Sequence, residues 1–141
     1  MLAYYVTAEA TEEGWTVRAR DLPELITFVD HPEAIADQAA DALVEALAAR
    51  IADREEIPPP SAGLPGELLV AVPSQAAVKA LLWQALKARG WRRADMARAL
   101  NCTQSQVDRL LSLRHASRYD QVDAALSALG KRLTVGIADA A

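Results

Sequence analysis

The sequence predicts an α+β fold class, a small sheet covered by one helix and followed by an all-α module. Three observations carry this. Apolar and polar residues alternate with period two through much of the first thirty positions. Apolar residues return every fourth position from Ile35 to Ile51, and several short, capped helical patterns follow Ser74.

Taken in order, Leu2, Tyr4, Val6 and Ala8 fall on one side of a first strand. Thr11-Glu12-Glu13-Gly14 is a polar turn whose glycine can take a positive φ. Trp15, Val17 and Ala19 then face inward, with Thr16, Arg18 and Arg20 outward, so the pair reads as a β-hairpin. Asp21-Leu22-Pro23-Glu24 interrupts the pattern before a third strand over 25–29. A helix begins near Pro32, which suits a first helical position, and Glu33 and Asp37 complement its positive end. Its apolar stripe is Ile35, Ala39, Leu43, Leu47 and Ile51; Asp37, Asp41, Glu45 and Asp53 occupy the opposite face. Pro58-Pro59-Pro60-Ser61 stops the helix, a linker-like loop spans 58–66, and a fourth strand over 67–72 ends at Pro73. The first module, 1–73, is therefore β-β-β-α-β.

The second module, 74–141, is helical. Ser74 can cap a helix starting at Gln75, with Val78, Leu81, Leu82, Ala85 and Leu86 as its stripe and Gly90 closing it. Short helices are expected at 92–99, 103–112 and 118–129. After Gly130 the segment 131–137 alternates like a short terminal strand.

Composition bounds the function. At 141 residues, 52% hydrophobic and 5% aromatic, the chain can pack one ordinary core or two small ones. Cys102 is the single cysteine, and the two histidines, His31 and His115, lie far apart. No internal disulfide, zinc site or other metal or cofactor is implied. No stretch approaches the ~20 apolar residues of a membrane span, and MLAYYVTAEATEE carries no secretion-type positive cluster, so a cytoplasmic setting without membrane partners is expected. The overall charge of −4 conceals a split. Residues 1–74 carry four basic and fourteen acidic side chains, a net −10; residues 75–141 carry eleven basic and five acidic, a net +6. Two modules with different partners, one of them a polyanion, would account for this division.

The run from Arg92 to Leu111 reads as two helices meeting at a sharp angle. Ala97 is small where the second helix crosses; Met96, Leu100, Val107 and Leu110 fill the shared core. Asn101 stands where the backbone must turn left-handed, and Thr103 with Gln106 forms a T-x-x-Q capping box. These are the parts of a helix-turn-helix. Thr103, Gln104, Ser105, Gln106 and Arg109 make a polar outer face. Gln104, Ser105 and Arg109 are candidates for reading bases in the major groove of double-stranded DNA, because glutamine pairs with adenine and arginine with guanine in bidentate fashion. Arg92, Arg93, Thr103 and Gln106 are candidates for phosphate contact, with Arg98, Arg114 and Arg118 widening the basic surface. The competing reading is a plain helical hairpin with a solvated polar face.

The tyrosine-bearing first strand, Trp15-Thr16-Val17 with Asp21-Leu22-Pro23, Ala34-Ile35, Glu56-Ile57-Pro58-Pro59-Pro60-Ser61 and Leu69-Val70-Ala71-Val72-Pro73 form a recognisable order. Gln106-Val107-Asp108-Arg109-Leu110-Leu111 and Arg114-His115-Ala116-Ser117-Arg118 complete it. In these features the chain resembles HicB-type antitoxins of bacterial toxin–antitoxin modules, in the branch with a helix-turn-helix C-terminus. The resemblance implies an N-terminal partial ribonuclease-H-like domain that lacks catalysis and masks a small messenger-RNA-cleaving toxin, HicA. It also implies an XRE-like C-terminal domain that represses the operon's own promoter as a homodimer or higher homo-oligomer. Family members often carry glycine and then an aromatic residue or cysteine after Asp-Leu-Pro, where this chain has Glu24-Leu25-Ile26. An acidic module suits the masking of an RNA-gripping, positive surface, with Asp21, Asp37, Asp41 and Glu45 as toxin-binding candidates.

Two other classes compete. A ribonuclease-H-like nuclease would need those same carboxylates to converge on metal ions, yet Asp37, Asp41 and Glu45 read as the solvated face of an amphipathic helix. A stand-alone helix-turn-helix regulator with a ligand-sensing N-terminal module would share the DNA-binding half. The reading is non-enzymatic.

Overall fold

The computed structural model describes residues 1–140; Ala141, the end of the expected second module, lies outside them. Four strands, β1 (Ala3–Thr11), β2 (Gly14–Ala19), β3 (Ile26–Val29) and β4 (Leu68–Ala71), form one antiparallel sheet in the order β3-β2-β1-β4. Five helices accompany it: α1 (Ile35–Ala52), α2 (Ser74–Arg89), α3 (Arg93–Leu100), α4 (Gln104–Leu111) and α5 (Tyr119–Ala128). No helix among the described residues is long and apolar enough to cross a membrane.

The β1–β2 hairpin closes through Thr11 opposite Gly14. Glycine is required there, because its φ is 146° and a Cβ would lie 2.2 Å from the Val29 carbonyl oxygen. The alternation predicted from sequence sets the buried face: Tyr4, Val6, Val17, Ala19 and Val70 turn toward Ala39, Leu43, Leu47 and Ile51 of α1. Each fully buried leucine in that layer is worth roughly 1.5–3 kcal/mol. Ala8 shares the face but is exposed.

α1 ends at Ala52, well before the prolines expected to stop it. Arg54 adopts a left-handed conformation, φ 61°, and the Glu55 amide turns back to the Arg50 carbonyl at 2.8 Å. This is a glycine-type helix terminus built on arginine. The segment 58–66 is pinned rather than free. The Tyr4 hydroxyl donates to the Pro58 carbonyl at 2.8 Å, and burial pushes that phenol up to about 12. The Asp21 carboxylate accepts from the Ser61 amide and hydroxyl at 2.7 and 2.6 Å, which holds it below the usual carboxylate range. The Arg20 guanidinium reaches Glu67 and the Ala62 carbonyl.

α2 begins at Ser74 itself, with Pro73 at the N-cap and no side-chain cap, while Gly90 closes it at φ 74° as expected. One expected element is corrected. The residues 131–140 contain no terminal strand, and Val135 and Ile137 are 88% and 103% exposed. Alternation makes a strand only where a neighbouring strand takes its hydrogen bonds, and the helical module supplies none. The hydrophobic core is continuous, running from the sheet through α1 and α2 to α5.

The helix terminus gives a direct stability test. Arg54→Gly is expected to raise stability by about 0.5–1 kcal/mol, the left-handed penalty less glycine's larger unfolded-state entropy. The denaturation midpoint at unchanged m-value measures it.

Candidate nucleic-acid interface

The site grows from a local turn. α3 ends at Asn101, whose backbone lies at φ 51°, ψ 50°, the left-handed geometry expected of it. The amides of Asn101 and Cys102 turn back to the carbonyls of Arg98 and Ala97 at 3.2 and 3.0 Å, closing α3 within one residue. α4 then starts from Thr103, and the box is reciprocal. The Gln106 amide donates to the Thr103 hydroxyl at 3.2 Å, and the Thr103 amide to the Gln106 carboxamide oxygen at 2.9 Å. Met96, Ala97, Val107 and Leu110 are buried and Leu100 is half-buried. The two helices are thereby held as a rigid pair.

The outward face of α4 is open. Thr103, Gln104, Ser105, Gln106 and Arg109 are all exposed, and among the described residues no hydrogen bond engages the side chains of Gln104, Ser105 or Arg109. Thr103 and Gln106 instead satisfy each other. Arg92, at the start of α3, is exposed with Asp95 3.7 Å away; the Arg92 amide and neighbouring arginines hold the Asp95 carboxyl below its ordinary range. Arg93 sits differently from Arg92. Its guanidinium donates to Asp108 at 3.0 Å and to the Ile51 carbonyl, and it lies 5.7 Å from the Trp83 ring centroid. Only its outer part is open, so it braces α3 against α1 and α4. Arg98, Arg114 and Arg118 are exposed and pair with Asp95, Glu45 and Asp120 respectively.

The four acidic candidates do not converge. Asp21 is bound to Ser61 on the loop side. Asp37, Asp41 and Glu45 stand in file on the exposed face of α1. Asp41 and Glu45, with Glu24, Thr27 and Gln38, line a groove of about 530 Å³ between α1 and β3. Glu24 is held low by Arg50, 2.5 Å away. The sequence reading missed an apolar feature of β3: Ile26 and Phe28, 47% and 70% exposed, stand on its outer face, away from α1. Their alternation with Thr27 and Val29 was the available signal.

Comparison with known proteins settles the family. Residues 3–81 match the model for the HicB_like antitoxin of bacterial toxin-antitoxin systems. The chain belongs to the HicB-like antitoxin family. It is 39% identical over 132 residues to Antitoxin HicB 2 of Photorhabdus laumondii, covering 94% of each chain. It is 34% identical to Antitoxin HicB of Pseudomonas fluorescens over 83% of this chain and 81% of that one. With Antitoxin HicB of Escherichia coli K12 the identity is 33%, over 95% of this chain and 98% of that one. These relatives span both modules, so the likeness extends through the turn at Asn101.

The turn and cap make separate contributions. Asn101→Ala is expected to cost about 1 kcal/mol and Asn101→Gly almost nothing, since only the former opposes the left-handed backbone. Thr103→Ala is expected to cost about 1 kcal/mol through loss of the cap. Thermal melts of the three variants check both values.

Proposed function

We propose that the chain is a non-enzymatic cytoplasmic antitoxin with two working surfaces. Through its acidic N-terminal module it masks a HicA-type messenger-RNA-cleaving toxin, and through α4 it binds operator DNA and represses its own operon. On this reading residues 1–73 are a partial ribonuclease-H-like domain and the helices after Ser74 an XRE-like domain.

The observation that carries the DNA half is the exposed, unbonded side-chain set of Gln104, Ser105 and Arg109 on a helix fixed by its turn and cap. These three read base edges; Arg92, with the first turn of α4 around Thr103 and Gln106, contacts phosphates. Arg93, two of whose five N–H groups are engaged by Asp108 and the Ile51 carbonyl, can offer only its outer edge to a phosphate. Eight residues of recognition helix reach few base pairs, so two half-sites and a dimer are required for useful specificity. The uncovered Val135 and Ile137 favour such self-association.

For toxin masking, the groove beside β3 offers Asp41 to a cationic surface, next to the Glu24–Arg50 and Glu45–Arg114 pairs, with Ile26 at its rim for apolar contact. β3 also leaves one strand edge unpaired among the described residues.

Binding to the chain's own promoter, measured by fluorescence anisotropy against a random duplex, tests the DNA half. Arg109→Ala is expected to lose discrimination at one operator position by ~1–3 kcal/mol. Arg92→Ala should weaken both duplexes alike and reduce the salt slope by about one. Equal losses on both duplexes for the Arg109 variant refute base reading.

For the toxin half, the product of the adjacent gene is expected to co-purify with the chain. Asp41→Lys with Glu45→Lys should slow association by roughly tenfold at low salt and less at high salt. Stopped-flow mixing at two ionic strengths measures this, and an unchanged rate would move the docking site elsewhere.

A further inference from the structure

The side chain of Lys79, on α2, is fully buried. Its ammonium donates to three backbone carbonyls: Arg109 at 3.0 Å, Ser112 at 2.9 Å, and His115. These carbonyls close the C-terminal end of α4 and the loop after it. One helical turn earlier, Gln75 makes a reciprocal pair with Ser117, donating to its carbonyl at 3.0 Å and accepting its amide at 3.4 Å. α2 thus grips the whole stretch 109–117 from behind, while the other face of α4 stands open.

The contact chemistry is specific. The end of a helix carries its partial negative charge, so a cation is a fitting cap; the Arg109 and Ser112 carbonyls also accept the Ser112 and His115 amides, each at 3.2 Å. A protonated amine has three hydrogens for three acceptors; a neutral amine has only two. The first acceptor belongs to Arg109, whose side chain points the opposite way.

We infer that Lys79 is a positioning residue for DNA recognition, its ammonium setting the angle and end point of α4 from inside the protein. This rests on the operator-binding reading. Burial lowers its pKa from 10.5 to about 8, while the three carbonyls favour the charged form. The charged groups on the surrounding elements are occupied or turned outward. On α4, Asp108 pairs with Arg93 and Arg109 is exposed; in the loop, Arg114 pairs with Glu45 and His115 is exposed. On α5, Asp120 pairs with Arg118 and Asp123 is exposed.

Two quantities therefore move in opposite directions with pH. Between about 8 and 10.5 the unfolded chain holds a proton that the folded chain has released, so global stability rises with pH. In the same interval the third carbonyl loses its donor, so operator affinity falls. A lysine with only a packing role gives no such divergence.

The test uses the full chain and a duplex carrying its own promoter. Operator affinity is expected to fall about tenfold as pH rises through the Lys79 transition, the worth of one charge-assisted hydrogen bond, with binding to random duplex nearly constant. Lys79→Met keeps a buried stem without the donors. It should bind operator about tenfold more weakly at neutral pH and show a flat pH profile, and a His115→Gln control should retain the native profile. Should Lys79→Met fail to fold, the native protein's own profile and amide exchange over 109–116 decide. An operator affinity indifferent to both pH and Lys79→Met, in a chain that does bind its promoter, overturns this inference alone. A chain that does not bind its promoter overturns the DNA reading with it.

Discussion

Both halves of the molecule depend on the burial of one helix, α2, on opposite sides at once. Ala76, Val78, Ala80, Leu82, Trp83 and Leu86 are buried around much of its circumference, the mark of a helix inside a core rather than on its surface. Toward the sheet, Trp83 donates its indole N–H to the Glu55 carbonyl at 2.8 Å, and Gln84 approaches the Ile57 carbonyl at 3.4 Å. Toward α4, Gln75 and Lys79 hold the segment that follows it. A boundary drawn at residue 73 marks a change of composition, but the chain beyond it is structurally continuous with what precedes it.

That continuity rests on apolar burial more than on charge. The acidic and basic halves meet in a pair between Glu45 and Arg114, both substantially exposed. Exposed pairs of this kind contribute about 0–1 kcal/mol, whereas removing a buried tryptophan such as Trp83 costs about 3–5 kcal/mol. The charge asymmetry therefore contributes little to holding the halves together and acts mainly as a long-range field over the surface.

The sequence was most legible where structure is local. Gly14, Gly90 and Asn101 each occupy the turn or positive-φ position assigned to them, and the Thr103–Gln106 box forms with both of its hydrogen bonds. Each depends on a few neighbouring residues, so composition and spacing suffice. Reading failed where a distant partner decides the outcome. The alternating 131–137 segment carries a strand pattern and no strand, because nothing adjacent pairs with it. α1 stops at a left-handed arginine, a residue with no propensity to signal a terminus. Leu81, assigned to the apolar stripe of α2, is 39% exposed, while Lys79 is buried. An apolar-stripe argument places lysine outside by default; only the convergence of three carbonyls from residues thirty or more positions away reverses it. Arg93's contacts with Asp108 and the Ile51 carbonyl escape sequence reading for the same reason.

The buried lysine also shows what a short helix such as α4 requires. An eight-residue helix is too short to persist alone, so its orientation depends on what holds it. Its start is held by the Thr103 cap and its inner face by Val107 and Leu110. An apolar side chain in place of Lys79 would avoid the cost of desolvating a charge. It would also leave the carbonyls of Arg109, Ser112 and His115 without that donor, and the end of the helix free to choose among several positions. The ammonium stabilises one geometry of that end at a cost in desolvation.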